Sequence, residues 1–344
     1  MDMMVWPAGQ TADERLADIR ASNRQLVIPP NFDPLAADDQ TLARIGLPPR
    51  PNRDTERELH DFWMEMFSPP LTFEDVQFDL ALPRAYYTRG SGGSTAVRSR
   101  HESSLNWSGA YIAPRDGRKF VQVVGSWKVP TVSVPPGGNP GAEYGSSTWI
   151  GLDGQREYID STLPQIGTGQ FFNLMGLPGT TYESWVQWWP NCPFTVGMPV
   201  KAGDKILAWL YVITPTEVVM IIKNQDAGGP AYPWVAFSPT VIKSPQYPTP
   251  IKARVSGATA EWVMERPAIP MSTVLFNLPQ YTPVTFTSCL AATEPPAGGL
   301  QRMENIVSPR LLHMYRTALN PHRRVTISDP TRLGPDSFKT EFRV

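Results

Sequence analysis

The 344-residue chain is short of several things, and each shortage excludes a class of function. Only two cysteines occur, Cys192 and Cys289. A disulfide framework is therefore ruled out, and one bridge at most can form. Two separate buried thiols are the expectation, because free cysteine favours interiors. Neither cysteine has a histidine beside it, so neither reads as a nucleophile. Strong charge is missing too: the formal net charge is -1 and charged residues make up only 18%. No Lys/Arg-dense stripe with interleaved aromatics is present, so nucleic acid is not an expected partner. The longest apolar run, residues 206–213, falls far short of the roughly 20 residues that a spanning helix needs. The opening Met1-Asp2-Met3-Met4-Val5-Trp6-Pro7 has an early acid and no apolar core, so no secretory signal is visible. There is no H-E-x-x-H zinc site, no G-x-S-x-G elbow and no phosphate loop. The histidines, His60, His101, His313 and His322, are scattered, so no metal is expected.

What is present divides near residue 100. Residues 1–100 carry a net charge of -4 with no lysine, and residues 101–344 carry +3. The first part reads as short helices joined by Pro-rich loops. Helices are predicted at 11–22, 41–45 and 54–67, the last capped by Asp54, with Leu59, Phe62, Trp63 and Met66 on one face. His60 on that helix is expected to pack or face solvent. Gly90-Ser91-Gly92-Gly93-Ser94 has the composition of a flexible linker, flanked by Arg84, Arg89, Arg98 and Arg100. The second part reads as short β-rich segments at 120–129, 147–152, 182–189, 205–213, 218–224, 252–256, 260–265 and 284–290, with a last one at 337–343. Gly/Pro turns separate them, and no long helix intervenes. That pattern predicts an all-β antiparallel sandwich or barrel. Residues 295–335 are not assigned.

Two of these segments carry polar groups among aromatics. In Tyr182-Glu183-Ser184-Trp185-Val186-Gln187-Trp188-Trp189, alternation puts Glu183, Trp185, Gln187 and Trp189 on one face. That mixture suits a ligand groove. In Ala260-Glu261-Trp262-Val263-Met264-Glu265, the two glutamates and Val263 share one face, and Ala260, Trp262 and Met264 form the core side. Desolvation of Glu265 would move its carboxyl toward the range useful to a general acid or base. The side-chain amide of Gln165, in Leu163-Pro164-Gln165-Ile166-Gly167, can donate to a developing oxyanion.

Taken in order, these strings resemble the glutamic peptidases (eqolisins), acid endopeptidases that use a Glu/Gln dyad. Asn106-Trp107-Ser108-Gly109-Ala110 is similar to N-W-x-G-A, and Ser126-Trp127-Lys128-Val129-Pro130 to the next strand, ending V-P. Trp149-Ile150-Gly151-Leu152-Asp153-Gly154 is similar to W-[VI]-G-[IL]-D-G, and Leu163 to Gly167 to L-Q-x-G with Pro164 inserted. The Tyr182 strand, Ala202-Gly203-Asp204, the Ala260 strand and Val284-Thr285-Phe286 complete the series. The resemblance spans about 104–290. It implies a concanavalin-like sandwich of two curved antiparallel sheets in 101–344, with 1–100 as an N-terminal extension of propeptide type, released near Arg98 or Arg100. It makes Gln165 the catalytic amide and Glu265 the catalytic carboxylate. Trp149, Asp153, Glu183, Gln187 and Trp189 would bind substrate. Polypeptides are the implied substrates, with no cofactor, and a monomer is expected. Activity should be highest at acidic pH, because a carboxylate base that has taken a proton is a strong acid. Members are typically secreted. The chain departs from the family's pattern at Glu183, longer than the family's Asp, at Gln187, neutral where the family has an acid, at Trp189, which replaces a tyrosine, and in the missing cysteines near the first motif. A glycoside hydrolase or a lectin-like binding module on the same sandwich is the alternative. The Asn106-Trp107-Ser108 string is also a glycosylation sequon by pattern.

Overall fold

The computed structural model describes residues 11–80, 100–115, 117–154, 162–189, 191–244, 247–269, 274–296, 301–317 and 323–343. The Gly90–Ser94 linker string, Arg84, Arg89, Arg98 and His322 lie outside the described residues. Among the described residues no helix is long and apolar enough to cross a membrane.

Alternation builds two antiparallel sheets. The first runs, edge to edge, through Thr180–Trp189, Leu163–Phe172, Tyr144–Leu152, Ala260–Glu265, Trp107–Ile112 and Arg310–Thr317. The second runs through Pro230–Phe237, Glu217–Asn224, Lys205–Thr214, Phe120–Lys128 and Val284–Thr293. Arg324–Arg332 and Phe338–Phe342 join them: the former pairs with Arg310–Thr317, and the latter with both Arg324–Arg332 and Val284–Thr293. The result is the sandwich expected from the sequence. Its core lies between the sheets. Ile150, Ile166, Val186, Trp188, Trp262 and Met264 come from the first sheet, and Val123, Trp127, Ala208, Leu210, Met220 and Trp234 from the second. Trp262 crosses that core to donate its indole N–H to the Val124 carbonyl at 2.7 Å. Gly125 leaves the room, since a Cβ there would stand 2.8 Å from the indole.

The second sheet is apolar on both faces. Leu207, Trp209, Val219, Ile221 and Val235 point outward and are covered by the N-terminal layer, above all by the helix Arg57–Phe67 with Leu59, Phe62, Trp63, Met66 and Phe67. Phe62 meets Trp209 edge to face at 5.8 Å. Lys223 reaches out of the sheet to donate to the carbonyls of Met66 and Ser68, both at 3.0 Å. A cation at a helix C-terminus satisfies carbonyls that have no partner within the helix. Asn23–Gln25 and Thr72–Phe73 extend the second sheet at Pro230–Phe237, and Asp79–Leu80 pairs with Phe194–Thr195 beside the first. Residues 11–80 are thus woven into both sheets.

Some expectations change. The helix Arg57–Phe67 has Glu56 at its cap position, without a side-chain cap bond; Asn52 Oδ1 instead accepts from the N–H groups of Asp54 and Thr55. Residues 253–256 are not a strand. Pro230–Phe237, Arg302–Asn305, Arg310–Thr317 and Arg324–Arg332 are strands that the sequence reading left unassigned. Both cysteines are free thiols. Burial pushes Cys192 up to about 12 and Cys289 well above its usual value, so neither is a thiolate at ordinary pH.

Candidate active site

The outward face of the first sheet carries the residues singled out above. Strand pairing sorts them into cross-strand rows, because directly paired residues project to the same side. Gln187 pairs with Gln165, Gln165 with Gly151, Gly151 with Glu261, and Glu261 with Tyr111. The next row is Trp185, Gly167, Trp149, Val263 and Gly109. The third is Glu183, Gly169, Ser147, Glu265 and Trp107.

This register does not place Glu265 beside Gln165. Two strand spacings and four residues separate them, about 10 Å across and 13 Å along, or roughly 16 Å between Cα atoms. Glu261 stands in the row of Gln165, about 10 Å away, with only Gly151 between. A glycine there has a physical reason. A Cβ at 151 would meet Leu163 Cδ1 at 2.9 Å, Trp149 Cζ3 at 3.0 Å and the Pro164 carbonyl at 3.1 Å. One edge of the Trp149 ring therefore lies over Gly151. At the other edge its Nε1 donates to Glu265 Oε2 at 2.8 Å. Asn106 Nδ2 reaches Glu265 Oε1 at 3.5 Å. Glu261 accepts a hydrogen bond from the Thr259 hydroxyl.

The amides form a chain. Gln187 Nε2 donates to the Asn191 carbonyl at 2.7 Å, and Gln165 Nε2 donates to Gln187 Oε1 at 3.1 Å. Among the described residues, Gln165 Oε1 is buried without a hydrogen-bond partner. Trp185 Nε1 donates to Ser147 Oγ at 2.9 Å, fixing a second indole in the floor.

Asp153 follows directly on Tyr144–Leu152 and faces the turn before the Ala260 strand. Its oxygens accept from Ser256 N at 2.6 Å, Ser256 Oγ at 2.7 Å, Ala258 N at 2.8 Å and Gly257 N at 3.3 Å. It is fully buried and anchors the turn that leads into Ala260–Glu265. Burial raises its carboxyl pKa, while the four hydrogen bonds oppose that rise. Trp149 and Gln187 are likewise fully buried on the first sheet's outward face, and Glu183 and Trp189 are half-buried at its margin. Asn106 is fully buried and hydrogen-bonded to Ser104 and Glu265, so it is not a sugar acceptor. No cluster of three or more metal-binding side chains occurs among the described residues.

The profile of the Peptidase A4 family matches residues 105–310, more than half of the chain. The protein belongs to the Peptidase A4 family. As a member it is a glutamic-type endopeptidase, a hydrolase whose substrates are polypeptides. Its fold is similar to that of scytalido-glutamic peptidase, solved with a peptide-based transition-state analogue. The TM-score is 0.51 at 16% identity, covering 70% of this chain and 98% of that one. SCP-B, an eqolisin solved with the tripeptide Ala-Ile-His, gives 0.49 at 16% identity over the same shares. Among curated proteins no sequence matches.

Glu261 and Glu265 share one strand face, and only the register against Tyr144–Leu152 distinguishes them.

Proposed function

We propose that this peptidase activates water between Gln165 and Glu261. The observation that carries the reading is the row Gln165–Gly151–Glu261, in which an amide and a carboxylate flank a position with no side chain. Ionised Glu261 takes a proton from a water held between its carboxylate and the Gln165 amide, above the Trp149 ring edge that covers Gly151. The resulting hydroxide attacks the scissile carbonyl carbon, and the Gln165 amide N–H donates to the oxygen as it becomes negative. Protonated Glu261 then gives its proton to the leaving nitrogen as the C–N bond breaks. Both glutamates lie on the strand that Asp153 anchors, so carboxylate position depends on that buried clamp. Glu265, held by Trp149 and Asn106, orients the indole that floors the pair.

Gln165, Glu261 and Glu265 are all fully shielded from solvent in this conformation. A peptide reaches them only after part of the chain moves away. The described residues 11–80 would not leave with a simple cut, because they cover the outer side of the other sheet.

The test is digestion of a denatured protein by wild type, Gln165→Ala and Glu261→Gln across pH 2–8. Both variants should lose cleavage at every pH while remaining folded. Full digestion by Gln165→Ala or Glu261→Gln would end the proposal. A glycosidase mechanism fits less well: Glu183 and Glu265 share a row but stand three strand spacings apart, about 14 Å. The family match, with its polypeptide substrates, favours peptide hydrolysis over that reading.

A further inference from the structure

The geometry points to Gln187 as a positioning residue that sets which way the Gln165 amide faces and keeps that setting independent of pH. This inference rests on the Gln165/Glu261 reading and deepens it.

The argument starts at a backbone carbonyl. The Asn191 oxygen can only accept, so the atom 2.7 Å from it must be the Gln187 NH2 group. Gln187 then has no choice but to turn its oxygen toward Gln165. The Gln165 atom 3.1 Å from that oxygen must in turn be a donor, its Nε2. Gln165 is thereby held with its own Oε1 pointing away from Gln187, buried and without a partner among the described residues. One fixed acceptor at the end of a strand turn thus propagates through two amides to the catalytic position. The free oxygen can accept a proton of the bound water, and the second hydrogen on Nε2 remains for the oxyanion. An unlocked amide would flip between two faces and present the right one only part of the time.

The chemistry of position 187 matters as much as its place. A carboxyl in that position would perform the relay only while protonated, with its O–H donating to the Asn191 carbonyl and its other oxygen accepting from Gln165. Once ionised it would turn an acceptor toward an acceptor. Amides do not titrate, so Gln187 removes that dependence. The titratable groups facing it among the described residues are Glu183 on its own strand, Glu261, Glu265 and Tyr111 on the strands beyond Gln165, Cys192 in the following turn, and Asp79 past Phe194–Thr195. The Gln187 side chain bonds instead to Gln165 and the Asn191 carbonyl, so the relay itself contains no titrating group.

Two variants of the full-length protein test this. Gln187→Met keeps the length and removes both hydrogen bonds; kcat should fall on the order of 10- to 100-fold at every pH, the size of a misplaced catalytic group, with KM little changed. Gln187→Glu should recover part of that loss at the acidic end only, and lose it again as the new carboxyl ionises, so its pH profile is narrower than that of wild type on the alkaline side. Melting temperatures of both variants report any general loss of structure. A Gln187→Glu profile that parallels wild type, or a Gln187→Met enzyme with wild-type kcat, overturns the inference. Gln165→Ala serves as the control: if it is inactive while the Gln187 variants behave as wild type, only the relay fails, and if it is fully active the underlying reading fails.

Discussion

Replacing Trp63 with alanine asks whether the N-terminal layer is a removable attachment or part of the folded enzyme. Trp63 is fully buried in the helix Arg57–Phe67. Its ring packs against Phe67 at 4.9 Å, the Arg50 guanidinium lies 4.9 Å from its centroid, and its Nε1 donates to the Pro48 carbonyl at 3.3 Å. Truncating a buried tryptophan to alanine costs about 3–5 kcal/mol. A folded domain has only about 5–15 kcal/mol to lose. A loss near 4 kcal/mol raises the unfolding constant on the order of a thousandfold, at tenfold per 1.4 kcal/mol. At about 2 °C per kcal/mol for a chain of this size, the melting temperature should fall by about 6–10 °C. Calorimetry should show one transition, moved down as a whole, because Trp209, Leu207, Val219, Ile221 and Val235 lose their cover together with the helix. A main transition that stays in place while the N-terminal region alone becomes protease-sensitive would refute the reasoning. So would a chain of residues 101–344 that melts like the full-length protein.

Other perturbations follow from the same contacts. Gly151→Ala should cost about 1–3 kcal/mol through overpacking against Leu163 and Trp149. It should cost far more in kcat, because the added methyl must displace the Trp149 ring edge that lies beside Gln165 and Glu261; steady-state kinetics beside a melting curve separate the two effects. Asp153→Asn turns an NH2 group toward backbone N–H donors and should destabilise by about 2–3 kcal/mol, by analogy with hydrogen bonds to charged groups, measured by urea unfolding. Burial lowers Lys223 to about 8 from its ordinary 10.5. Between those values the unfolded chain holds the proton and the folded chain has released it, so this group makes stability rise with pH over that window. Lys223→Met should abolish that part of the slope in denaturation curves taken from pH 7.5 to 10.5. Cleavage near Arg98 or Arg100 should leave residues 11–80 bound, so both fragments should elute together in gel filtration and separate only in denaturant.

The sandwich was legible because its strands alternate. Thr180–Trp189 and Ala260–Glu265 divide their side chains between core and outer face as alternation predicts. The layer of 11–80 was harder to read. Ile206-Leu207-Ala208-Trp209-Leu210 and Val218-Val219-Met220-Ile221-Ile222 are apolar on both faces, which means cover on both sides, but composition does not say what provides the cover. The amphipathic helix Arg57–Phe67 was read correctly as a helix, without its partner surface. The tail strands Arg310–Thr317 and Arg324–Arg332 alternate weakly and carry arginines, histidine and proline, so their pairing comes from their neighbours in the sheet. At the site, the motif strings lie on the strands that carry the rows Gln187–Gln165–Gly151–Glu261 and Glu183–Gly169–Ser147–Glu265. The choice between two glutamates four residues apart on one face depends on strand register, a long-range property that no local pattern encodes. The role of Asp153 was hidden for the same reason: its partners, Ser256 to Ala258, lie about a hundred residues away.

The most direct measurement compares kcat/KM for Glu261→Gln and Glu265→Gln on one peptide substrate at acidic pH, with both variants shown to be folded. Loss of a general base costs on the order of 10²–10⁴-fold. The register predicts that loss for Glu261→Gln, and a much smaller one for Glu265→Gln through a loosened Trp149. An active Glu261→Gln enzyme beside an inactive Glu265→Gln enzyme would contradict the account.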